Sequence, residues 1–172
     1  SHILGVVSLA CSDYDFPLLI GDIATDTAVK VECRERQMVD PATSVAVDTL
    51  TYKTADFMLS SAQDYHPGER GGSEHIWQAT LGHEAVVFAN HPACMSDNDA
   101  HRPGFWLGNR RLPRAEQWKD VLIAIYRLPD DDWMGFTHAY FPIYAFSEYE
   151  IRRNQKVKGD AWAFARKDNG FL

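Results

Sequence analysis

The period of the chain changes near residue 44, and that change restricts the fold more than any other feature. Ser44-Val45-Ala46-Val47-Asp48-Thr49-Leu50-Thr51-Tyr52 alternates with period two, which sends successive side chains to opposite faces of a strand. Further strands are expected at Phe57 to Tyr65, His75 to Leu81, Ala85 to Asn90, Trp118 to Arg127, His138 to Phe146 and Ala161 to Arg166. Turn residues separate them: His66-Pro67-Gly68, Gly71-Gly72, Leu81-Gly82, Pro129-Asp130-Asp131-Asp132 and Asp168-Asn169-Gly170. Glu84 to Asn90 is short enough to return as the hairpin partner of His75 to Leu81. Many short strands punctuated in this way predict a mainly β chain folded as an antiparallel β-sandwich of supersandwich type.

The preceding residues read differently. Ile3 to Ala10 is apolar and compatible with helix, and Pro17 to Ala24 suggests a second short helix with proline in its first turn. Helices this short bury little alone. The expected organisation is therefore a short helical segment over residues 1–43, the tail of a helical domain, followed by the sandwich over 44–172. Phe171-Leu172 begins a strand directly after a tight turn, which is the pattern of a sandwich truncated at its C-terminus.

With 172 residues, 45% hydrophobic and 24% charged, the chain is long enough for one domain with a core. Its net charge of -7 argues against general nucleic-acid binding, which needs a basic face to displace counterions from phosphates. No apolar run approaches the roughly 18 to 20 residues that cross a bilayer, so no membrane partner is expected. Cys11, Cys33 and Cys94 are odd in number and far apart, which disfavours a disulfide framework. There is no glycine-rich phosphate loop, HExxH, GxSxG or paired CxxC, and no cofactor is expected.

Chemistry concentrates in four places. His91 to Pro113 is long, aperiodic and rich in proline and glycine, as functional loops often are. With its flanks it gathers Asn90, His91, His101, Arg102, Phe105, Trp106 and Asn109, and from His101 to Lys119 five basic residues face one acid. Arg can pair with a carboxylate or sulfate, Trp can lie against a sugar ring, and His can move a proton. Equally, Asn90 and His91 can cap the strand while Arg102 pairs with Asp97 or Asp99. Tyr65 and His75 flank one strand connection, either as a base and acid pair or as ordinary core and sheet residues. His138 and Tyr140 share a strand face, lining a cleft or facing solvent. His91, Cys94 and His101 could ligate zinc with Asp97 or Asp99, but their spacing fits no standard pattern and no metal is expected.

Tyr52 to Tyr65, His75 to Leu81, Val86 to Pro92, and Trp162-Ala163-Phe164-Ala165-Arg166 with Asp168 to Leu172 together resemble the C-terminal sandwich of heparinase II/III-like proteins. The resemblance covers roughly residues 45–172 and is one of pattern. It implies a helical toroid before the sandwich, with an acidic oligosaccharide or polysaccharide in the cleft between them. It also implies cleavage of uronic-acid polysaccharides by β-elimination, and a secreted or periplasmic location. In that family Tyr and His act as base and acid, and Asn or Arg neutralises the carboxylate. Much of that machinery lies on the toroid, so the piece alone is expected to be inactive. The catalytic candidates are Tyr65, His75 and His91; the substrate-binding candidates are Arg102, Trp106, Asn109, His138 and Tyr140. The alternative is a carbohydrate-binding or interdomain module without catalysis.

Overall fold

In the computed structural model, alternation becomes three antiparallel sheets. The structure describes residues 31–39, 46–71, 75–92, 110–130, 132, 135–157 and 160–172; within 31–39, Arg34 alone is described beyond the backbone. Six strands make the main sheet: β1 (Val31–Val39), β2 (Ala46–Lys53), β3 (Met58–Gln63), β4 (Trp77–Thr80), β5 (Val86–Asn90) and β8 (His138–Tyr140), side by side in that order. Between β5 and β8 the chain makes a separate hairpin, β6 (Arg114–Trp118) and β7 (Val121–Ile125). After a single 3-10 turn at Ile143–Ala145 come β9 (Glu148–Arg153), β10 (Ala161–Lys167) and β11 (Gly170–Phe171), in the sheet order β11-β10-β9.

The turns have local causes. Thr54 closes the β2–β3 hairpin by accepting the Asp56 and Phe57 backbone N–H groups on its Oγ1. Its own N–H donates to the Phe57 carbonyl at 2.8 Å. A threonine hydroxyl here replaces the backbone bonds that the turn interrupts. Gly82 lies in the β4–β5 connection, closed by a bond from Leu81 N–H to the Ala85 carbonyl. That hairpin pairs Ala79 with Val87 and Thr80 with Val86, as its brevity in sequence predicts.

One face of the main sheet is apolar. Cross-strand partners point the same way, and the register aligns Tyr52, Leu59, Ala79 and Val87 in one row across β2 to β5. All four are buried. Leu59, Ala79 and Val87 form a core with Leu81, Ala85, Ala145, Phe146 and Ala165, so the last sheet docks through β10. A second cluster joins Tyr65 and Ile76 to Leu112 and Ala115. Buried Gln117 fastens the β6–β7 hairpin: its Oε1 accepts the Ser61 hydroxyl at 2.6 Å, and its Nε2 donates to the Leu59 carbonyl at 3.0 Å.

The mainly antiparallel β architecture agrees with the sequence reading; four strand assignments do not. The strand expected over His138 to Phe146 stops at Tyr140, where Pro142 has no N–H to continue a ladder and Ile143–Ala145 forms a 3-10 turn. Residues 118–127 do not form one strand, because the chain reverses at Lys119-Asp120 and Trp118 pairs with Val121. Val31–Val39, assigned to the helical lead-in, is a strand antiparallel to β2. Glu148–Arg153 is a strand although every residue of it is exposed. The expected helices at Ile3 to Ala10 and Pro17 to Ala24 lie outside the described residues. No helix among the described residues is long and apolar enough to cross a membrane.

Candidate functional site

The opposite face of the main sheet is half-exposed and mixed in chemistry. Following the register across it gives Thr51, Ser60, Gln78, Thr80 and Val86, then Phe88 and Tyr140. The first four carry hydroxyls and an amide, and they bond to one another: Thr51 Oγ1 lies 3.1 Å from Ser60 Oγ, and Gln78 Nε2 donates to Thr80 Oγ1 at 3.1 Å. Lys53 adds an ammonium at one side, directly across from Met58.

Aromatic rings continue this row. His75 stacks on Phe88 with centroids 3.7 Å apart and planes 16° from parallel. Phe88 in turn stacks on Tyr140 at 5.3 Å and the same angle. The Tyr140 and Tyr144 hydroxyls are 3.2 Å apart. That bond holds the Tyr144 phenol above its ordinary pKa. Tyr144 is 72% exposed and His75 is also exposed, which leaves both ends of the strip open to a ligand.

Beyond the last residue of β5 sits a buried ionic cluster. His91 Nε2 lies 2.7 Å from Asp132 Oδ2, and neither side chain has any exposed surface. Asp132 Oδ2 also accepts the Gly135 N–H at 3.0 Å, while Oδ1 forms an ion pair with Arg110 Nε at 2.8 Å. Burial lowers the His91 pKa and outweighs the opposing pull of Asp132; Arg110 and Arg111 lower it further. His91 is thus neutral near pH 7. A carboxylate accepts only, so the His91 proton sits on Nε2 and Nδ1 carries the lone pair. The Arg110 N–H donates to the His91 carbonyl at 3.0 Å, and the Tyr126 hydroxyl donates to the Ala89 carbonyl at 2.8 Å. Burial raises the Tyr126 pKa. Together these contacts fix the end of β5 against residues 110, 126 and 132.

Three of the expected site residues therefore meet on one surface: His75 and Tyr140 flank Phe88, and His138 lies across from Asn90 one pleat further along. His91 is adjacent but fully buried, where it holds segments together without touching solvent. Tyr65 is 7% exposed and packs in the second core cluster, its ring edge-on to His66 at 4.7 Å. Arg102, Trp106 and Asn109 lie outside the described residues, as do Cys94, Asp97, Asp99 and His101. Among the described residues no group of three His, Cys, Asp or Glu side chains could hold a metal ion.

Sequence reasoning missed Phe88, Arg110 as a partner of Asp132, and Asp132 itself. Phe88 reads as one more apolar strand residue, although its two-residue offset from Asn90 puts both on one face. Asp132 reads as the end of a turn, and nothing local signals a partner 41 residues upstream. Comparison with family models, curated proteins and solved structures finds no match to the chain.

Proposed function

We propose that the chain is the β-sandwich part of a polysaccharide lyase-like, carbohydrate-active enzyme, and that it holds an acidic, uronic-acid-containing saccharide along the mixed face of its main sheet. The observation that carries this reading is the His75–Phe88–Tyr140 stack continuing a row of hydroxyl and amide side chains. A sugar ring has an apolar face and a polar rim. Flat rings accept the first and a row of hydrogen-bonding groups accepts the second. Lys53, on the same face at one side of this row and across from Met58, is a cation that can meet a carboxylate.

A second reading, a binding module without catalysis, is favoured by one feature. Among the described residues the His91–Asp132 pair is the best-formed proton-handling pair, and it is sealed from solvent. Titration with a defined uronic-acid oligosaccharide tests both readings. Saturable binding that weakens with added salt and in Tyr140→Ala supports a saccharide face, because exposed charge pairing is screened by salt. Ultraviolet absorbance from unsaturated uronide products separates lyase from binding module. Affinity indifferent to salt and to Tyr140→Ala would remove the acidic-saccharide reading.

A further inference from the structure

The β9–β10 ribbon leaves the core after Ala165 with both faces open. Trp162 is 68% exposed and Phe164 42% on one face, while Tyr149 is 51% and Ile151 42% exposed on the other. A short ribbon with two solvated faces gains little from burial and is marginal alone. Among the described residues its outer strand, β9, ends the sheet and has no strand paired to its outer edge. Charges usually guard such an edge against pairing, but here they are polarised. Glu148 and Glu150 occupy the first half of β9, and Arg152 and Arg153 the second.

We propose that two copies of this chain pair edge to edge through β9, antiparallel about a two-fold axis, so that their three-stranded sheets join into one. The charge order selects the register. An axis through Ile151 sets Glu150 of each copy opposite Arg152 of the other, Tyr149 opposite Arg153, and Ile151 opposite itself. Moving the axis to Glu150 or to Arg152 sets that charge against its own copy, which destabilises a cross-strand pair. Only the Ile151 register joins the Ile151 and Ala163 side chains of both copies into one apolar strip, since Ala163 is the cross-strand partner of Ile151. The contact is self-complementary, as a two-fold interface requires.

Within one chain Glu150 and Arg152 also form a bidentate pair at 2.7 and 3.0 Å. The experiment therefore separates the two roles. Sedimentation equilibrium over a concentration series is expected to show a reversible dimer that weakens with salt. Glu150→Arg and Arg152→Glu, each alone, should raise the dissociation constant about tenfold or more, because two reciprocal attractions become repulsions. An equimolar mixture of the two variants should recover the dimer, although neither regains its internal pair. The double exchange Glu150→Arg with Arg152→Glu keeps both kinds of pair and should dimerise like the parent. A monomer at every concentration, single variants that dimerise as tightly as the parent, or a mixture that fails to recover would each overturn the proposal.

Discussion

Replacing Asp132 with alanine should be among the most destabilising single changes in the described structure. The carboxylate is fully buried, receives hydrogen bonds from His91 and from the Gly135 backbone, and balances the Arg110 guanidinium, whose side chain is 27% exposed. Removing one partner of a buried ionic pair costs about 3 to 5 kcal/mol, mostly because the other partner is left desolvated without compensation. For a chain of this size that lowers the unfolding midpoint by roughly 10 °C. Asp132→Asn should cost less, about 1 to 3 kcal/mol, because an amide oxygen can still accept from His91 and Gly135 while the attraction to Arg110 is lost. Urea and thermal unfolding followed by circular dichroism give both values. If Asp132→Ala unfolds within about 0.5 kcal/mol of the parent, the usual scatter of surface substitutions, then the cluster does not hold the end of β5 and the reasoning fails.

The same cluster sets a pH dependence. The folded-state pKa of His91 lies below the ordinary imidazole value of about 6.5. Between the two values the unfolded chain binds a proton that the folded chain does not, so stability falls as pH drops through that window and is retained above it. His91→Gln should lose this part of the slope in pH-dependent unfolding. Gln117→Ala removes two buried side-chain hydrogen bonds to β3 and should destabilise by about 2 to 3 kcal/mol, read in the same unfolding assay. Lys119 turns the β6–β7 hairpin with φ at 53°, a conformation that costs a side chain about 1 kcal/mol. Lys119→Gly is therefore expected to hold or slightly raise the unfolding midpoint, and a clear drop would contradict the turn geometry.

How far the sequence could be read depended on whether the deciding contacts were local. The strands β2 to β5 and β10 were legible because alternation and turn residues are encoded within a few positions. The β6–β7 reversal was not, because Lys119-Asp120 lacks the Asn-Gly or Gly-rich signature of a tight hairpin. Glu148–Arg153 hid for another reason: only Tyr149 and Ile151 carry its alternation, too short a run beside the charged residues around it, and both stay exposed. In the site, His75, His138 and Tyr140 were found as polar groups on strands, yet what joins them is the pairing of β5 with β8, which sets Phe88 against Tyr140, 52 residues on, and Asn90 against His138, 48 residues on. Pairing over such distances is a property of the sheet and leaves no local mark.

Nuclear magnetic resonance offers the sharpest check on the proposed saccharide face. On titration with a uronic-acid oligosaccharide, ring resonances of His75, Phe88 and Tyr140 should shift together and saturate with a single affinity, because a sugar stacked on one ring disturbs all three. Shifts confined to other surfaces, such as the exposed Trp118 of β6 or Trp162 of β10, or no shift at all, would contradict it.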